Sequence, residues 1–127
     1  MGWNFWCRPI ALVCLLAGLG LIVAFNAPAT ADNGDPKAGK VIYQRLCTHC
    51  HGATGKGDGP IGLSLTPKPE NLPEELHEEG EEFFFKIIQN GGRSMGKSPC
   101  MPAWGNQLRA DGIWDVIRYV QVLAEEQ

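Results

Sequence analysis

The sequence predicts a small all-α protein. Three stretches carry apolar residues at helical spacing, and no stretch shows the alternation of a β-strand. Two loops rich in glycine and proline separate these helices, one in the middle of the chain and one before the last helix. A chain of 127 residues is long enough for one domain.

The first predicted helix follows Asp35-Pro36, which provides an N-cap and a proline at the first helical position. Apolar residues then recur every four positions up to Leu46. Gly39 lowers the helix propensity of this stretch. We expect it either to permit a close helix crossing or simply to be tolerated.

The segment from Gly52 to Pro73 is rich in glycine and proline and predicts a long loop without regular structure. A loop of this length in a small domain usually has a function. Six glutamates follow between Glu74 and Glu82, either as a solvated acidic loop or as a recognition surface for a basic partner. The second helix covers Phe83 to Ile88, and at least one of its phenylalanines should contact a bound cofactor.

The last predicted helix begins at Asp111, which we expect to be its cap. It carries one continuous apolar stripe with the i, i+3, i+4 spacing of a buried face. The stripe consists of Ile113, Val116, Ile117, Val120 and Leu123.

Residues 1–31 are predicted to be a cleavable secretory signal peptide. Arg8 precedes an uncharged, largely apolar run from Ile10 to Phe25, and Ala29-Thr30-Ala31 fits a signal peptidase site. The domain would then span residues 32–127, in an exported, periplasmic protein. The alternative is an uncleaved segment that tethers the domain to a membrane.

The stretch Cys47-Thr48-His49-Cys50-His51 has the pattern Cys-x-x-Cys-His, which is typical of covalent attachment of c-type haem. Two thiols at this spacing can both add to the vinyl groups on one porphyrin edge. His51 then becomes the first axial ligand of the iron. The pattern predicts one covalent haem, and export agrees with it because bacteria attach haem outside the cytoplasmic membrane.

Two other readings of the cysteine pair are weaker. A zinc site would need a second ligand pair, which Cys100, His49 and His77 do not form. A thioredoxin-like redox pair would need a βαβ pattern around it, and the sequence has none.

An iron with one histidine ligand needs a second ligand, and two methionines of the loop before the last helix are candidates. Pro99 and Pro102 restrict the backbone around Met101, which favours a fixed thioether. Met95 lies between Ser94 and Gly96 without such a restraint. We therefore predict Met101 as the axial ligand, with Met95 as the runner-up.

The chain resembles a class I c-type cytochrome over residues 35–127. The matching stretches are Cys47–His51, Gly52–Pro60, Met101–Gly105 and the closing Ile113-Trp114-Asp115 with Tyr119. The family implies an all-α fold around one haem, with the first and last helices crossing where Gly39 and Tyr119 would meet. It also implies His51 and Met101 on the iron and thioethers at Cys47 and Cys50. Pro60 and Trp104 would complete the haem site, Pro60 through a carbonyl that accepts a hydrogen bond from His51.

Cys100 departs from the family pattern, and we interpret it as a small packed side chain rather than a reactive thiol.

The resemblance implies a one-electron carrier between redox partner proteins, membrane-bound oxidoreductases among them, and not an enzyme. We expect a monomer that does not bind nucleic acid. One alternative is a haem-bearing subunit of an oxidoreductase complex. Another is a haem enzyme with an open or displaceable sixth ligand.

Overall fold

The structure, a computed structural model, describes residues 34–127, so the predicted signal peptide lies outside the described residues. This part of the chain contains helices and no strand, which confirms the all-α prediction. The five α-helices are α1 (Pro36–Leu46), α2 (Thr48–His51), α3 (Leu72–Glu79), α4 (Glu81–Asn90) and α5 (Ala110–Glu125). Two short 3-10 helices cover Gly62–Ser64 and Gly92–Met95.

Helix α1 begins as predicted. The side chain of Asp35 accepts a hydrogen bond from the backbone N–H of Lys37 at 2.8 Å, and Pro36 occupies the first turn. The helix ends at Leu46, and Cys47 follows at once. The predicted attachment motif is therefore joined to the domain by a regular, well-capped helix.

Helices α1 and α5 cross closely, as the family resemblance implied. Gly39 lies against the backbone of Asp115, and a Cβ atom at position 39 would overlap the Asp115 carbonyl. One turn further along, the rings of Tyr43 and Tyr119 meet edge to face with centroids 5.3 Å apart. Gly39 and Tyr119 both lie at this crossing, as expected, but the nearest atoms to Gly39 belong to Asp115 and Val116, and the ring of Tyr119 pairs with Tyr43.

The core lies between α5 and the other long helices. The apolar stripe of α5 is buried as predicted, together with Tyr43, Leu76, Phe84 and Ile88. Arg118 of α5 also binds Glu81 of α4 through an ion pair at 2.7 Å.

Three helices differ in their bounds from the sequence prediction. Helix α4 extends two residues beyond each end of the predicted Phe83 to Ile88. Helix α3 lies partly within the segment expected to be loop, because Pro73 stands in the first helical turn, where a missing N–H costs nothing. Helix α5 has Arg109 rather than Asp111 as its N-cap residue. Asp111 lies in the first turn, where its negative charge interacts favourably with the positive end of the helix dipole.

Candidate functional site

A cavity of about 270 Å³ lies between the Cys47–His51 motif, helices α3 and α4, and the loop that precedes α5. Its wall is largely apolar. Among the apolar side chains that line it are Leu46, Leu65, Leu72, Phe84, Ile87, Ile88 and Val120. Phe84 is thus the phenylalanine of α4 that faces the cavity, whereas Phe85 packs on Trp114.

The attachment motif forms one wall of this cavity. Cys47, Cys50 and His51 all line it. The motif is helical here, with the N–H of His51 donating to the Cys47 carbonyl at 2.9 Å. Residues three apart in a helix share a face, so both thiols reach the same cavity. Within residues 34–127, neither thiol forms a disulfide.

Burial sets the protonation state of this wall. It raises the pKa of the Cys47 thiol to about 12, with Cys50 adding to the effect, and it lowers the pKa of His51 to about 4. At neutral pH the imidazole is therefore uncharged, which is the form that binds a metal ion. The Nδ1 atom of His51 is buried without a hydrogen-bond partner.

The long glycine-rich loop wraps the outside of the motif. The buried hydroxyl of Tyr43 donates to the carbonyl of Gly52 at 2.9 Å. The N–H of Gly57 donates to the carbonyl of His51, also at 2.9 Å. A side chain at Gly62 would overlap the Cys50 carbonyl. This loop thus holds the backbone on both sides of His51. Holding the motif in place is a function that explains why so long a loop is present in a small domain.

The loop before α5 forms the opposite wall. Met101, Pro102 and Trp104 line the cavity, whereas Met95 does not. The carbonyl of Met101 accepts a hydrogen bond from Gly92 at 3.0 Å, and the N–H of Trp104 donates to α4 at 2.9 Å. The structure therefore brings Met101 and His51 to one cavity from distant parts of the chain.

Two residues that we singled out in the sequence occupy other surroundings. Pro60 is exposed and does not line the cavity. Its hydrogen bond with His51 is not formed in this structure, so its role stays a prediction. Cys100 is exposed and lines the cavity, so its interpretation as a small packed side chain stays a prediction.

Four charged residues that line the cavity were not predicted from the sequence, namely Lys68, Glu70, Glu75 and Lys97. A signal for Glu75 existed. Once Leu72–Glu79 is read as a helix, Glu75 falls on the same face as Leu72 and Leu76, which are apolar. Treating this acidic stretch as a solvated loop concealed that placement.

These residues fit a covalently held haem. Paired thiols, a neutral imidazole and a thioether surround an apolar cavity, and these are the groups that attach haem and hold its iron. When bound, haem would supply the one-electron chemistry, while the apolar side chains that line the cavity would exclude water from it.

Comparison with known proteins agrees with this fit. Residues 34–120 match the family described as cytochrome c oxidase, cbb3-type, subunit III. The chain belongs to this family of c-type cytochromes. It is therefore an electron-transfer protein with covalent c-type haem rather than an enzyme.

Two relatives differ in size. A cytochrome c-555 of Methylococcus capsulatus is 29% identical over 114 residues, which cover 90% of this chain and 80% of that protein. The CcoP subunit of a cbb3-type cytochrome c oxidase from Azospirillum brasilense is 26% identical over 102 residues. These residues cover 80% of this chain but 32% of the subunit.

The relatives indicate redox partner proteins, such as an oxidoreductase complex, and a periplasmic or membrane-associated location. Within residues 34–127, no helix is both long enough and apolar enough to cross a membrane.

Proposed function

We propose that residues 32–127 act as an exported, monomeric carrier that passes single electrons between redox partner proteins. Cys47 and Cys50 would hold the haem, and His51 and Met101 would be the axial ligands of its iron. The observation that carries this proposal is the shared cavity, since both thiols, the imidazole and the thioether of Met101 line it.

Two axial ligands suit a carrier. An iron bound by both His51 and Met101 has no open position for a substrate. Its coordination also changes little between the ferric and ferrous states, so little reorganisation accompanies electron transfer. A carrier must release each partner quickly, which agrees with small and weak docking interfaces.

Carbon monoxide tests the carrier against the enzyme alternative, because it binds ferrous haem only at an open or displaceable position. We expect the visible spectrum of the ferrous protein to stay unchanged under carbon monoxide. Rapid formation of a carbonyl complex by the wild-type protein would contradict the proposal and favour an enzyme with a displaceable ligand.

A second candidate is a haem-bearing subunit of an oxidoreductase complex, favoured by the similarity to CcoP. Purification under mild conditions, followed by intact mass measurement, separates the two. The carrier should be recovered alone, with the mass of residues 32–127 plus one haem. Stable co-purification with oxidase subunits, or a protein that retains residues 1–31, would instead support the subunit.

A further inference from the structure

Three charged side chains meet at the edge of the cavity. The ammonium group of Lys97 lies 3.0 Å from a carboxylate oxygen of Glu70 and 2.9 Å from one of Glu75. Glu75 belongs to α3, Glu70 precedes that helix, and Lys97 belongs to the loop that carries Met101. All three line the cavity.

The cluster combines two acids with one base. The Glu75 side chain is only 11% exposed, whereas that of Glu70 is 55% exposed. Burial raises the pKa of Glu75, and the neighbouring carboxyl group of Glu70 adds to this rise. The neighbouring carboxyl group of Glu75, together with Lys97, lowers the pKa of Glu70. Glu75 is therefore the member of the pair that holds a proton more readily.

We propose that the Glu70–Glu75 pair takes up a proton when the haem is reduced, so that the reduction potential of this carrier depends on pH. The inference rests on the proposed function, because it needs the haem in this cavity. A donor protein supplies one electron, ferric iron becomes ferrous, and the charge of the site falls by one. One proton from solvent then binds a Glu75 carboxylate oxygen, and oxidation releases it again.

The other charged groups near the pair are engaged elsewhere or exposed. On α4, Glu81 binds Arg118 of α5, and Glu82 binds Lys86. The other charged or titratable side chains of α3 are exposed, namely Glu74, His77, Glu78 and Glu79. Lys68 lines the cavity from the loop before α3, and His51 lines it with an uncharged imidazole.

The test is the reduction potential of the holoprotein, measured by spectroelectrochemistry across a pH range. The wild-type potential should fall as pH rises, because deprotonation leaves a negative charge that disfavours the added electron. One proton per electron gives at most a tenfold change in the redox equilibrium per pH unit, or about 59 mV. Glu75→Gln mimics the protonated acid, so its potential should exceed that of the wild type at high pH, match it at low pH and depend much less on pH.

Glu78→Gln is the matched control, since it removes the same charge from an exposed position of the same helix that does not line the cavity. It should keep the wild-type pH dependence. The carboxylates of the haem itself are the rival source of the proton. If they are the source, Glu75→Gln will keep the wild-type slope, and that result would overturn the inference.

Failure of the proposed function would look different. A protein without covalent haem gives no haem potential to measure, whereas loss of this inference alone leaves a normal haem protein with an unaltered slope. Thermal unfolding of both variants checks that neither substitution disrupts the fold.

Discussion

The two walls of the cavity are built differently. The His51 wall is held mainly by backbone contacts, because the glycine-rich loop packs directly on the motif and the Tyr43 hydroxyl binds the carbonyl that follows it. The wall that carries Met101 is a loop outside any long helix. It is held by a few backbone hydrogen bonds and by the ion pairs of Lys97 with Glu70 and Glu75.

This difference assigns separate tasks to the two walls. The His51 wall is part of the folded core, so changes there should lower the stability of the whole domain. The Met101 wall closes the cavity with side chains, so changes there should alter the iron while the fold persists. Predicted effects on stability therefore decrease from the helix crossing behind His51 to the Met101 loop.

The largest loss of stability is expected for Gly39→Ala at the crossing of α1 and α5. Alanine favours a helix over glycine by about 1 kcal/mol. Here, however, its Cβ would overlap the Asp115 carbonyl, so the two helices must separate. We expect a net loss of about 2–3 kcal/mol in the free energy of unfolding, measured by denaturant titration.

Gly112→Ala is the matched control for that substitution. A Cβ at this helical position would make an ordinary contact of 3.5 Å with Ile42. We expect unchanged stability or a gain of up to about 1 kcal/mol. Equal effects of the two alanines would contradict the close crossing.

A smaller loss is expected for Tyr43→Phe, which removes the buried hydroxyl but keeps the ring. The carbonyl of Gly52 then loses its 2.9 Å hydrogen bond. A buried acceptor left without a partner costs about 1–3 kcal/mol, and the thermal unfolding midpoint should fall accordingly.

Tyr119→Phe serves as the control, because it removes a hydroxyl from the other ring of the same pair. Within the described part of the chain, the Tyr119 hydroxyl makes no hydrogen bond. Its variant should unfold like the wild type. If both variants lose the same stability, the Tyr43 hydrogen bond does not hold the His51 wall.

Much of this architecture could be predicted from local sequence. The cap at Asp35, the apolar stripe of α5 and the spacing of Cys47 and Cys50 each depend on residues close together in the chain. Local rules of propensity and periodicity decide such features. The choice of Met101 over Met95 also came from neighbouring prolines, and the lining of the cavity agrees with it.

The features that were missed depend on contacts between distant residues. Gly39 was expected at a crossing, but only the packed structure identifies Asp115 as its neighbour. Likewise, the acidic stretch from Glu74 to Glu82 was interpreted as exposed, because its composition does not show that Glu75 forms an ion pair with Lys97 of another loop. Tertiary structure decides which of several similar glutamates is buried.

The central claim is that Met101, in the loop before α5, provides the second axial ligand of the haem iron. The most direct test compares Met101→Ala with Met95→Ala in the ferric holoprotein. The measurement is the weak methionine-to-iron charge-transfer absorption, read together with the unfolding midpoint. We expect Met101→Ala to lose this absorption and keep a folded domain with covalent haem, and Met95→Ala to retain both. Loss of the absorption in Met95→Ala, with Met101→Ala unaffected, would contradict the assignment of the axial ligand.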